Sequence, residues 1–246
     1  MSPADELVPL LRRLRLSGLL DTLALRIDEA VTDNLAFDEF LYRLLNDEAE
    51  RRAQRRLATR IRHAKFEAAT TIEDFEFIFN PEIPKTKIID LATCRFVKAH
   101  ENILFAGPTG TGKSHLAQAI GHRACLLGHD TRFVRAQALF TRLRAARAEH
   151  GYERVMREFT KPSVLIIDDL GLQPLRDQSP ADLYELIRRR HHRSSTIITT
   201  NRAFEELPGL FNDDLLASAA LDRLLEHAHL VELTGKSYRQ ANRSTK

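Results

Sequence analysis

No tryptophan occurs in this sequence, and cysteine appears only twice, as Cys94 and Cys125. The two stand far apart and in no metal-ligand spacing, so a reduced cytoplasmic compartment is the natural reading. Long apolar runs are missing as well, which leaves no candidate membrane span. The N-terminal MSPADELVPLLRRLRL starts acidic and lacks the apolar core of a signal peptide. Internal repeats and low-complexity tracts are absent. So is a strong excess of one charge: 37 Lys and Arg against 34 Asp and Glu give a formal net charge of +3. That balance alone does not announce a nucleic-acid binder. What the sequence does have is 43% hydrophobic residues in 246, enough for a real core in one large or two small domains.

The pattern changes along the chain. Leu7, Leu10, Leu11 and Leu14 share one helical face, with Pro9 expected in the first turn. Leu20, Leu23 and Ile27 mark a second helix after Gly18. A longer helix starts near Phe37, with Asp38 and Glu39 in its first turn and arginines at its far end, as the macrodipole favours. Residues 1–68 are expected to form a small all-α domain. Within 67–86, ATTIEDFEFIFNPEIP has two prolines and no helical period and reads as a linker. From about residue 100 strand and helix patterns alternate. Strands are predicted at Ile103–Ala106, Thr131–Val134, Val164–Asp168, Thr196–Thr200 and Leu230–Leu233. The expected fold of residues 69–246 is α/β, with a mainly parallel five-stranded sheet.

NILFAGPTGTGKSHLAQAIG contains G-x-x-x-x-G-K-[ST], from Gly107 to Ser114. An apolar strand precedes it, and Leu116, Ala117, Ala119 and Ile120 follow at helical spacing. Glycines are costly to order, so three of them at a strand-to-helix turn need a backbone reason. The loop Gly107, Pro108, Thr109, Gly110, Thr111, Gly112, Lys113, Ser114 can turn successive N–H groups toward an anion at the positive end of a helix. Lys113 would reach the β- and γ-phosphates of ATP, and the Ser114 hydroxyl would bind Mg²⁺.

SVLIIDDLG places Asp168 and Asp169 at the end of a buried strand. A carboxylate there can hold the Mg²⁺ shell, which falls to Asp168, while Asp169 can orient or deprotonate a water. The alternative is a solvated acidic turn. TIITTN ends the next strand at Asn201, which could reach the γ-phosphate or simply start a turn.

Basic residues cluster locally. Residues 51–65 hold Arg51, Arg52, Arg55, Arg56, Arg60, Arg62 and Lys65 and no acid. On a helix, Ala53, Leu57 and Ile61 leave a narrow apolar stripe and the cations cover the rest. Such a surface could follow a DNA backbone without regard to sequence, or be an ordinary solvated face. Arg135, Arg142, Arg144 and Arg147 form a second basic helix. Arg188 to Arg193 is a third basic stretch; its adjacent histidines lack zinc-ligand spacing.

GPTGTGKSHLA, LIIDDLG, STIITTN, ALDRLL and GKSYR together resemble the AAA+ ATPases of the initiator and helicase-loader group. LRRLRLSGLLDTL, LAFDEFLYRLL, RRLATRIRHAKF and TIEDFEF make the resemblance closest to IstB-like transposition helper ATPases, over nearly the whole chain. The resemblance implies an ATP- and Mg²⁺-dependent ATPase. Asp168 would hold the metal, Asp169 would take the place of the usual catalytic glutamate, and Asn201 would be the sensor asparagine. Arg223 would be an arginine finger acting in trans, which requires an ATP-dependent homo-oligomer. Arg239 resembles the second sensor, although the chain runs only seven residues further and leaves no room for a full C-terminal lid. Phe75 or Phe77 would lie near the adenine. Duplex DNA and a cognate transposase are the implied partners, with target-site selection as the output. A DnaC-like replicative helicase loader is the alternative. A module that coats DNA without turnover and a small-molecule kinase are more distant ones.

Overall fold

The computed structural model describes residues 3–211 and 213–238. Two compact units divide at Thr59 and Arg60. Composition places the change at 68, nine residues later, because the stretch that follows packs rather than links: Ala64 and Ile83 are buried, and Phe66, Ile72, Phe75 and Phe77 lie against the core of the second unit.

The first unit contains α1 (Pro3–Arg13), α2 (Ser17–Thr32) and α3 (Phe37–Ala64) as far as Thr59. Leu11, Leu19, Leu23 and Leu44 form its core. Pro9 lies inside α1, not in its first turn, because the helix begins at Pro3, where a proline with no N–H is tolerated. Gly18 likewise lies within the first turn of α2 rather than before it. The buried Glu48 carboxylate accepts from the Gly18 and Leu19 N–H groups, so α3 caps the open end of α2. Burial pushes the Glu48 carboxyl up, but Arg52 and those two amides outweigh it and hold it below its usual range.

The second unit is a parallel sheet of β1 (Asn102–Ala106), β2 (Thr131–Arg135), β3 (Val164–Leu170), β4 (Ser195–Thr200) and β5 (Ala228–Glu232), in the order β2-β3-β4-β1-β5. Its helices are α4 (Lys85–Ala92), α5 (Arg95–Ala99), α6 (Lys113–Leu126), α7 (Ala136–Ala148), α8 (Tyr152–Thr160), α9 (Ser179–Arg190) and α10 (Asp214–Leu225). Successive strand residues feed opposite faces, as a two-residue repeat demands. Leu104, Leu165, Ile167 and Ile198 join the layer with residues of α7 to α10. Ile103, Phe105, Val164, Ile166 and Ile197 join the layer with residues of α4 to α6. Both faces are covered, which is why these strands read as unbroken apolar runs. Parallel pairing places all strand C-termini on one edge of the sheet, and the candidate site lies there.

Candidate nucleotide-binding site

β1 ends at Ala106, between β4 and β5 in the sheet, and the chain must turn directly into α6. Gly107 has φ +139°, and a Cβ there would lie 2.1 Å from the Leu233 carbonyl oxygen. Gly112, at φ +101°, is the residue before α6, and a Cβ there would press on the Phe75 ring at 2.5 Å. Both positions therefore exclude any side chain. The close approach of Phe75 was not legible locally. It brings the TIEDFEF segment onto the start of α6, where Phe75 also meets the ring of His115 at 5.4 Å between centroids.

Lys113 is 6% exposed, and its ammonium donates to the carbonyls of Gly107 and Pro108, both at 2.7 Å. A positive group is thus held inside the loop at the N-terminus of a helix of 14 residues. Pro108 and Thr109 are exposed, and Thr111 closes the turn by donating to the Pro108 carbonyl at 2.9 Å. Tyr238 donates its N–H to Gly110 at 3.1 Å, so the segment leading to Arg239 lies against the loop. Arg239 itself falls outside the described residues.

On the neighbouring strands the register slips between Ile167 and Leu170, a bulge in β3 opposite Thr199. Asp169 sits in that bulge with φ +57°. Bulges of this kind re-aim side chains at strand ends. Thr199, fully buried, donates to the Asp168 carboxylate at 2.6 Å and accepts the Asp169 N–H at 2.9 Å. Asp168 is 2% exposed. Burial raises its pKa above the ordinary aspartate value, against hydrogen bonds from Thr199 and Ser114 that lower it. Ser114 and Asp168, read separately from the sequence, are therefore brought together. A carboxylate and a hydroxyl are the hard oxygen donors that Mg²⁺ takes, and a buried carboxylate without a full counter-charge fits a cation. Asn201, just beyond β4, is exposed. Since β4 lies between β3 and β1, Asn201 stands between the acidic pair and the glycine loop. Asp169 faces a cleft of about 380 Å³ that Arg135, Gln137, Arg144 and Gly171 help to line.

Thr199 was missed by sequence reasoning; one more threonine in TIITTN carries no signal of its own. Its replacement by valine keeps the shape but orphans the Asp169 amide and removes a donor from Asp168. Thermal unfolding of Thr199→Val is expected to show a loss of about 1–3 kcal/mol, largely restored in Thr199→Ser. A valine variant as stable as the original chain would mean that the threonine bridge contributes nothing.

Arg223 is far from this site in its own chain. It lies near the end of α10, where Asn102 at the start of β1 donates to the Leu224 carbonyl at 3.0 Å. The five residues of β1 separate that edge from the glycine loop, about 16 Å of strand. Its guanidinium donates to the Ala219 carbonyl and lies 5.7 Å from the centre of the Tyr184 ring.

The basic runs are largely matched. Arg51 pairs with Asp21, Arg52 with Glu48, and Arg55 donates to the Ser17 hydroxyl. Arg60 is 3.7 Å from Asp130. Arg142 pairs with Glu158, Arg144 with Asp177, and Arg147 with Asp182. Among the described residues, Arg56, Arg62 and Lys65 are exposed and make no ion pair. No described helix is long and apolar enough to cross a membrane.

A five-stranded parallel sheet in the order β2-β3-β4-β1-β5, with a glycine loop after β1 and an acidic bulge on β3, defines an AAA+ P-loop domain. A family model described as IstB-like ATP binding protein matches residues 9–246. The chain belongs to that family. It is 40% identical over 234 residues to an insertion-sequence protein of Mycobacterium tuberculosis (strain ATCC 25618 / H37Rv) named as ATP-binding, covering 95% of this chain and 93% of the relative. The corresponding ATP-binding protein of insertion sequence IS21 from Pseudomonas aeruginosa is 35% identical over 234 residues, covering 95% and 88%. The crystal structure of DnaI superposes with a TM-score of 0.59 at 20% identity, over 68% of this chain and 92% of that one. The replication initiator DnaA bound to AMPPCP and single-stranded DNA does so with 0.59 at 18%, over 74% and 55%. At such identities these two structures speak for the fold alone.

Proposed function

We propose that this protein is an ATP-dependent DNA-binding ATPase that assembles on duplex DNA and serves an insertion sequence as transposition helper, acting with its transposase in target-site selection. The carrying observation is the convergence of Lys113, Ser114, Asp168 and Asp169 at the C-terminal ends of adjacent parts of one sheet. The loop amides and Lys113 bind the triphosphate, and Ser114 with Asp168 hold Mg²⁺, which neutralises charge on the β- and γ-phosphates when bound. Asp169, fixed at its amide by Thr199, orients the attacking water, and Asn201 reaches the γ-phosphate. Arg223, on the opposite edge, completes a neighbour's site. Arg239 is kept as the second sensor. The insertion-sequence names of the relatives support the transposition setting. Arg56, Arg62 and Lys65 are the DNA contacts first in order. Arg51, Arg52, Arg55, Arg60, Arg142 and Arg144 must leave existing partners to take part.

The test is the mass of the protein on a long duplex with ATP, with ADP and with neither. ATP-dependent growth into a large complex is expected. Arg223→Ala should keep its affinity for ATP yet lose about 10³-fold or more in turnover, the range of a trans arginine. Mixing it with Lys113→Ala subunits should restore part of the activity, because each supplies what the other lacks. A monomer under every condition would defeat both the assembly and the finger.

A further inference from the structure

At the sheet edge opposite the glycine loop lies an open cavity of about 610 Å³. The turns before β1, β2, β3 and β4 contribute His100, His129, Ser163 and Ser194 to it, and the ends of α8 and α9 contribute Arg157, Lys161 and Arg193. Among the described residues, no carboxylate lines it. Arg189 also reaches the wall but is paired with Glu153 and Glu185. Lys161 and Arg193 make no ion pair among the described residues.

Two buried groups behind this wall lack what their chemistry asks for. The Ser194 side chain, in a residue 8% exposed, has a hydroxyl with no hydrogen-bond partner. A buried hydroxyl without a partner is costly. Arg190 is 2% exposed, and its guanidinium donates to the carbonyls of Phe159, Thr160, Pro162 and Ser195 and to the Thr196 hydroxyl, with no carboxylate among its partners. Two residues hydrogen-bonded to Arg190, Thr160 through its carbonyl and Ser194 through its N–H, line the cavity. Buried charge is normally compensated by an opposite one, and among the described residues no carboxylate pairs with Arg190. His129 on the wall has its pKa lowered, first by burial and then by Lys98 and Arg60, against Asp130.

We infer that this cavity is a second anion site, which binds a phosphate group between Lys161, Arg193 and the Ser194 hydroxyl. Its size falls in the range of small-ligand sites, and its oxygen-seeking donors suit the three or four oxygens of a phosphate. The group can come from a free phosphate compound or from a nucleic-acid backbone passing this edge. The site is separate from the glycine loop, by the length of β1.

The experiment uses the full chain with ADP in excess, so that the glycine loop is filled, and titrates inorganic pyrophosphate by calorimetry. The original chain is expected to take up pyrophosphate. Lys161→Ala and Arg193→Ala should each weaken that uptake at least about tenfold, the loss expected for one charge-assisted hydrogen bond, and Ser194→Ala should weaken it less. ADP affinity should be the same in all four, which shows that the variants are folded and keeps this outcome apart from any failure of the ATPase reading. A second arm measures affinity for a duplex against salt. A slope reduced by about one in Lys161→Ala or Arg193→Ala assigns the group to the DNA backbone. An unchanged slope with lost pyrophosphate uptake assigns it to a free phosphate compound. If neither pyrophosphate uptake nor the salt slope differs between the variants and the original chain, the site does not exist.

Discussion

Alanine at Lys113 is expected to lower affinity for ATP by about 10²–10³-fold while the domain still folds. The lysine is nearly enclosed and donates to two carbonyls of its own loop at 2.7 Å each. Those bonds hold the ammonium where a phosphate would arrive, and the phosphate replaces them with charge-assisted ones. Each such bond contributes about 1.5–3 kcal/mol, and two of them, less the two carbonyl bonds they replace, leave about 3–4 kcal/mol, which is the expected range. The main chain is left able to pair with water at a partly open loop, so the stability loss should stay near 1 kcal/mol. Arginine at the same position should recover little. Its charge is kept, but a planar fork does not fit a loop that already closes around a slender ammonium. Calorimetry with a non-hydrolysable ATP analogue, beside a thermal melt, separates binding from folding. Near-original affinity in Lys113→Ala would remove the loop from the nucleotide site and take the ATPase reading with it.

What could be read ahead of the structure follows from how local each signal is. All five strands were legible to within about two residues, because buried parallel strands carry their apolar runs in sequence. β5 is the least accurate, observed at Ala228–Glu232 against an expectation of Leu230–Leu233. The glycine loop was legible because its backbone geometry restricts residue type. Helices α4 and α5 escaped, being short and hidden behind a proline-rich stretch whose phenylalanines suggested a linker. The placement of Pro9 and Gly18 inside helices depended on where those helices begin, which is the least legible feature of a helix. Partnerships across the fold were invisible. Arg135 pairs with Glu67, 68 residues away, and no local pattern announces it. The bulge at Asp168 and Asp169 belongs to the same class, since it exists only in relation to Thr199 on the next strand.

Asparagine at Asp168 should make the ligand-free protein more stable and, at the same time, remove the gain in nucleotide affinity that Mg²⁺ brings. The carboxylate is buried at 2% exposure, and its pKa is raised by that burial more than Thr199 and Ser114 lower it. An acid with a raised folded pKa stabilises the fold in its protonated form. That contribution is complete below the ordinary aspartate value and is lost as pH rises through the higher folded value. At neutral pH the ionised group is therefore a cost to the empty protein, and asparagine removes the charge while keeping an oxygen for the Thr199 hydroxyl. A gain of about 1 kcal/mol would raise the midpoint of unfolding by about 2–4 °C for a chain of this size. The gain should shrink as pH falls toward the ordinary aspartate range, where the original carboxyl is itself protonated. With Mg²⁺ and ATP the order should reverse, because binding to the folded state stabilises only the chain that can hold the metal. Melting both chains across pH, with and without Mg²⁺ and ATP, reads all of this. If Asp168→Asn were destabilised in the empty protein, or kept the full response to Mg²⁺, then the strain at this carboxylate would not be the mark of a cation site.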